Sequence, residues 1–459
     1  MDDVTISVDS TSTQRRKHWS SPEEADDMHE DRICLLKPDE SRPEELPVQS
    51  GAAEAPTASS HTKRQTERKT RSTTTAASAG QPHHGSQRPK VLFLDGLRGL
   101  AAIFVVTQHA NFMGDRNLGA CAVDTFFVLS AFLLTMLFER QVQSLLRREV
   151  PLRSWVIALA DYAVKRFLRV YPLFAIVAIV LRLLSVPQRE RLFHVKRAKS
   201  YDLFKTLTFD EWFRPHVFWT LPLEITYYLI LPLFVVGMVR LRHLWWLPVG
   251  PTLVWIIHSG LYTFRTSHQS FGPHFPTFIT GSLGAIVYAR LAETIERNEV
   301  KWHRIVLRCI EYTTLALLLS VAFNGLLFTW IHPNPAPRAS GFQFISVHVT
   351  IIIVCEMLLP GPIASILEWS LLRYVGKISF SVYLLHSFVI YSDAIARQSY
   401  YDRVFAIAAA VGALATLSYH IVEEPSQRLA VRISQQLKRI DASGSAMPTT
   451  DVLPRVAAP

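Results

Sequence analysis

From Val91 to about Val422 the chain is built of apolar runs, and the polar residues between them fall at intervals of roughly 18 to 25 residues, the length a helix needs to cross a bilayer. About ten membrane helices are predicted, near 92–113, 120–139, 168–186, 217–239, 244–264, 275–292, 309–331, 342–360, 374–396 and 403–422. The expected fold is an all-α integral membrane protein. Residues 1 to about 88 have a different pattern: Ser, Thr, Pro, Gln and charge with few aromatics, too little apolar surface to offset the entropy of ordering. The predicted organisation is a disordered tail over 1–88, a transmembrane domain over 89–428 and a short C-terminal tail over 429–459.

Charge sets the expected orientation. An even number of spans leaves both termini on one side, and Arg140, Arg147, Arg148, Arg153, Lys165, Arg166 and Arg169 after the second span favour the cytosol for that side. The loop 187–216 runs against the rule, carrying Arg189, Arg191, Lys196, Arg197, Lys199, Lys205 and Arg214 on the opposite face. The tail has no early apolar stretch with a small-residue cleavage site, so the first span is expected to direct insertion. The net charge of +10 includes Lys63, Arg64, Arg68, Lys69 and Arg71 beside a membrane domain, which fits anionic lipid better than nucleic acid. The four cysteines have no zinc or disulfide spacing.

Candidate chemistry begins in the first span, FLDGLRGLAAIFVVTQHANF, where Asp95, Arg98 and His109 fall within roughly 60° of one another on the helix. An ionisable group at mid-membrane costs on the order of 3 kcal/mol, so such groups face a partner or a watery cavity unless they snorkel from a helix end. The second span opens VDTFFVLSAF and brings in Asp124 and Ser130; the fourth, FWTLPLEITYYLILPL, brings in Trp219 and Glu224. Helix-end capping and ordinary packing are the alternatives for these four. His386 lies in the ninth span, and Pro425 is expected to halt the tenth behind Glu423 and Glu424.

Placed by depth, these residues form two expected layers. Asp95, Arg98, Arg166, Arg169, Lys377 and Glu423 lie toward the cytosol, a mostly cationic set suited to the phosphates of a nucleotide-bearing donor. His109, Asp124 and Glu224 lie toward the other face, with His386 nearer mid-depth. Arg98 and His109 are about 16 Å apart along the helix, comparable to the extended pantetheine arm of coenzyme A.

At these residues the chain resembles the acyltransferase 3 family of multi-pass membrane proteins, from Val91 to about Arg428. LDGLRGLAA followed by a histidine is similar to the family's first-span signature, and VDTFFVLSAF, KRFLRVYP, FWTLPLE, GKISFSVYLLH and EEP match its later motifs in order. The resemblance implies acyl transfer, often of acetyl, from acyl-CoA as co-substrate to a hydroxyl of a sugar, glycolipid or small-molecule secondary metabolite, with no permanently bound cofactor or metal. It implies that Arg98 and His109 are the functional pair. A neutral His109 would take the acceptor proton, with Glu224 or Asp124 orienting the imidazole or binding acceptor hydroxyls, and Arg98 would bind the donor.

A proton-coupled transporter is the competing class, because intramembrane Arg, His, Asp and Glu also mark relays. There are no clustered histidine boxes for a di-iron enzyme and no G-x-S-x-G nucleophile elbow.

Overall fold

The computed structural model describes residues 91–445 apart from 115, 196–197, 211–212, 242–243, 264, 266–267, 298–301 and 329–343, and the tail predicted over 1–88 lies outside the described residues. The described residues are helical, with no strand among them. In chain order the helices are α1 Leu92–His109, α2 Leu118–Arg147, α3 Leu152–Leu183, α4 Val186–Phe193, α5 Leu203–Leu207, α6 Thr220–Leu241, α7 Trp246–Tyr262 and α8 Phe271–Arg297. They continue as α9 Trp302–Ala322, α10 Ile345–Leu358, α11 Pro362–Leu367, α12 Ser370–Lys377, α13 Ser379–Ile390, α14 Asp393–Ala396, α15 Tyr400–Ser418 and α16 Glu424–Ser445.

Each of the ten apolar stretches is occupied by helix, but the helices differ in reach. Among the described residues four segments, Leu118–Arg147, His216–Leu241, His303–Ala322 and Tyr400–Ser443, are long and apolar enough to cross a membrane by length and composition. α10 and α13 have 14 and 12 residues. At 1.5 Å per residue these reach only about 21 and 18 Å, short of a straight crossing. The ninth stretch, expected as one span, is broken into α12, α13 and α14.

The break has a packing cause. α1 packs most extensively on α12, and the two approach through glycines. A Cβ on Gly99 would fall on the carbonyl of Leu372 and one on Gly376 on the carbonyl of Asp95, while one on Gly96 would fall on the carbonyl of Leu367, the last residue of α11. Lipid tails are as apolar as leucine, so membrane helices associate by close packing, and small residues allow it. α12 ends at Lys377 while packed against α1, and the chain restarts as α13 after Ile378. Broken helices are tolerated at membrane depth where protein surrounds them.

Behind α1, α2 packs along α8. Phe127 stacks on Phe278 with ring centres 4.4 Å apart, and Phe278 on Tyr227 of α6 at 4.8 Å. Thr135 and Ser282 share a 2.6 Å hydrogen bond across the same interface, satisfying two hydroxyls that lipid could not.

Pro425 does not stop the tenth helix. Tyr419–Glu423 forms a single π-helical turn, and the chain continues as α16 to Ser445, so the segment from 429 is helical where a short tail was expected. The widened turn accommodates the missing N–H and the ring of proline, which would otherwise clash with the preceding turn. α16 packs along α3, tied by Arg153 to the Ile440 carbonyl (3.0 Å) and Ser154 to Asp441 (2.6 Å).

The basic loop 187–216 folds back onto the protein. Arg189 is buried with its guanidinium 5.5 Å from the Tyr201 ring, Arg191 pairs with Asp393, Lys205 lies 5.0 Å over Phe213, and Arg214 donates to the His268 carbonyl at 3.2 Å. These four charges are held in folding contacts.

Candidate active site

Two cavities meet inside the helix bundle. The first, about 280 Å³, is lined by Arg98 of α1, Ser130 of α2, Arg166 and Arg169 of α3, Glu224 and Tyr228 of α6, and Ser379, Phe380 and Tyr383 of α13, among others. Three guanidiniums against one carboxylate make it cationic. Arg98 also contacts Asp95 at 3.3 Å, but the Asp95 side chain is 52% exposed and faces outward. Tyr228 donates to Glu224 at 2.6 Å and shares a 3.1 Å hydrogen bond with Ser130, so the residues quoted from the second and fourth spans form one polar string.

The second cavity, about 210 Å³, is lined by His109, Asp124, His216, Trp219, Arg265, His268, His274 and Tyr383, with Val105, Gly119, Ala120, Val123 and Val217. Val123 and Tyr383 line both cavities and form the partition between them. The Tyr383 hydroxyl is fixed there, donating to the Val217 carbonyl and accepting from Thr220, each at 3.1 Å.

His109 ends α1 with its Nδ1 2.9 Å from the Val105 carbonyl one turn back. A carbonyl only accepts, so Nδ1 carries the hydrogen and Nε2 keeps its lone pair toward the cavity. His386 repeats the arrangement with its Nδ1 3.1 Å from the Val382 carbonyl, and its Nε2 has no protein hydrogen-bond partner. The ring centres of His109 and His386 are 4.9 Å apart, and those of His109 and His216 5.0 Å. Among the described residues this trio is the group with metal-ligating chemistry, its ligand atoms within 4.8 Å of one another. Holding one ion at about 2.0–2.1 Å would draw all three nitrogens to about 3.3 Å of each other.

Several sequence expectations change here. The Val105 carbonyl, not a carboxylate, orients His109. Glu224 belongs with the arginines of the first cavity rather than with His109. Asp124 shares the histidine cavity, but both its oxygens are taken by Arg265 at 2.8 and 2.6 Å, in a pair whose side chains are 7% and 4% exposed. His386 sits beside His109 rather than in a layer of its own. Lys377 lies over the Tyr419 ring at 4.8 Å and Glu423 accepts from Ser381; neither is among the cavity-lining residues. Trp219 lines the histidine cavity, 5.2 Å from His274.

His216, Arg265, His274 and Tyr383 are site residues that sequence reasoning passed over. His216, three residues before Trp219 at the mouth of the fourth span, carried a readable signal; Arg265 lies in a connection whose pairing with Asp124 only the fold reveals.

The model of the acyltransferase domain known as acyltransferase 3 matches residues 91–419. The chain belongs to the acyltransferase 3 family. Curated relatives include a protein named putative peptidoglycan O-acetyltransferase YrhL of Bacillus subtilis, 26% identical over 72% of this chain and 54% of the relative. Peptidoglycan O-acetyltransferase OatA of Listeria monocytogenes is 24% identical over 74% of this chain and 56% of its own, and O-acetyltransferase OatA of Staphylococcus aureus is 26% identical over 73% and 57%. The chain thus spans about half the length of the curated relatives it matches. No solved structure matches it. Within the acyltransferase 3 segment lie both cavities and all the residues that line them.

Proposed function

We propose that this chain is a membrane O-acyltransferase that moves an acyl group, acetyl above all, from acyl-CoA to a hydroxyl of a sugar in a glycan or glycolipid. The observation that carries it is the pair of adjoining cavities, one cationic and one rich in histidine, reached by Arg98 and His109 of the same helix. The names of the relatives favour a glycan acceptor over a secondary metabolite and favour transfer over transport.

In this reading the first cavity takes the donor. At about 280 Å³ it is small for a whole nucleotide-bearing molecule, since ligand sites run to about 300–1,000 Å³, so it holds the pantetheine arm while Arg98, Arg166 and Arg169 meet its phosphates. The arm passes the Val123–Tyr383 partition and presents the thioester carbonyl near His109. An acceptor hydroxyl in the histidine cavity gives its proton to Nε2 of His109 as its oxygen attacks; the C–O bond forms, the C–S bond breaks, and coenzyme A leaves as thiolate. The bilayer surrounds ten helical stretches, with both termini in the cytosol and the histidine cavity toward the far face.

The test is mass spectrometry of glycans and metabolites from cells with and without the gene, beside cells carrying His109→Ala. An acyl mass increment present only with the unmodified gene supports the reading. Glycans and metabolites identical in all three, with an ion or solute flux that follows the gene, would replace it with the transporter.

A further inference from the structure

The acceptor's proton must leave the histidine cavity, and the residues around His109 mark a route. We propose that His216 and His194 form a proton-exit relay that carries the hydroxyl proton from His109 to the surface on the acceptor side. This rests on the acyl-transfer reading of His109 given above.

Three observations support the route. The first is spacing. Ring centres step 5.0 Å from His109 to His216 and 5.2 Å from His216 to His194, and His194 is exposed at the C-terminal end of α4. The ligand nitrogens of His109, His216 and His386 lie within 4.8 Å of one another. A water at about 2.8 Å from each of two nitrogens bridges about 4.6 Å, so neighbouring imidazoles in this range exchange protons through one water.

The second is polarity. Nε2 of His216 is buried and makes no protein hydrogen bond, though a lone imidazole nitrogen in an apolar interior ordinarily finds a partner. The third is backbone strain. His194 has φ 45° and His216 φ 44°, both in the left-handed region that non-glycine residues seldom adopt. Two successive members of the relay therefore share an uncommon backbone conformation. Tyr391, 4.3 Å from His194 and 6.0 Å from His216, and Phe193, 5.6 Å from His216, wall the path.

The balance closes. Nε2 of His109 takes the proton from the acceptor hydroxyl, passes it to His216 and then His194, and His194 releases it to water on the acceptor side. The thiolate withdraws with the pantetheine arm and takes a proton from water on the donor side. One proton is released on one face for each proton consumed on the other.

The experiment uses washed membranes carrying the full-length protein, supplied with acetyl-CoA, with coenzyme A release measured above a His109→Ala control. His194→Asn is the informative variant because asparagine adopts the left-handed backbone readily and has no titratable nitrogen. The relay predicts that His194→Asn lowers the maximal rate at least about fivefold without changing the KM for acetyl-CoA, and that millimolar imidazole restores most of it by replacing the missing ring. His194→Gln should behave alike. A rate equal to the unmodified protein's, or a loss that imidazole does not restore, overturns the relay. So does one equivalent of zinc in the purified protein, because the metal would occupy the Nε2 lone pairs. Failure of the acyl-transfer reading is a separate result: no coenzyme A release above the His109→Ala control.

Discussion

Asp124 and Arg265 show how much of the site depends on a single pair. Both are almost fully buried, and Arg265 also donates to Thr277 at 2.6 Å. Removing one charge strands the other, so Arg265→Met is expected to destabilise the protein by about 3–5 kcal/mol, read as a lower melting temperature in detergent. Adding Asp124→Asn should recover most of that stability; if the double variant is no more stable than the single one, the pair is not the reason for the loss. Arg98→Ala is expected to raise the KM for acetyl-CoA about tenfold, the loss of one charge-assisted hydrogen bond, while leaving acceptor dependence alone. A raised acceptor requirement with unchanged donor dependence would remove Arg98 from the donor cavity. Arg98 and His109 are legible on one helix face because α-helical periodicity is local, whereas Asp95, which the same periodicity groups with them, is 52% exposed and lines neither cavity. Glu224 was misplaced and His216 overlooked because depth along one helix does not say into which cavity a side chain opens. That depends on how α3, α6 and α13 are packed around it.

At the scale of elements, the chain's apolar runs located the helices well and their breaks poorly. A run of valine, isoleucine and leucine reports burial or lipid contact, whereas the break between α12 and α13 follows from a contact with α1 far away in sequence. The glycines in LDGLRGLAA and in GKISF were the readable trace of that contact. Gly99→Val and Gly376→Val are therefore expected to abolish the monodisperse protein, since each new side chain meets backbone that cannot swing aside. Gly237→Ala, where nothing lies within 4 Å of the added carbon, is the control expected to behave as unmodified. Equal yields of all three would show that the α1–α12 crossing tolerates separation. The π-helical turn at Tyr419–Glu423 explains how Pro425 can sit in a helix that the sequence alone suggested should end.

The helical membrane domain holds two unlike cavities with one tyrosine and one valine between them. Both cavities lie within the acyltransferase 3 segment, so deleting residues 1–88 is expected to leave acyl transfer by inserted protein within about twofold of the full chain. Complete loss by a deletion variant that inserts normally would assign the tail a part in the reaction. Whether His109 moves a proton during acyl transfer is read by comparing turnover of His109→Gln and His109→Ala with the unmodified protein, each normalised to monodisperse protein in detergent. Both variants are expected to fold and to lose at least about 100-fold in turnover, a barrier of roughly 3 kcal/mol, because glutamine keeps size and polarity but has no basic nitrogen. Near-parental turnover by His109→Gln would contradict it and make packing the function of His109.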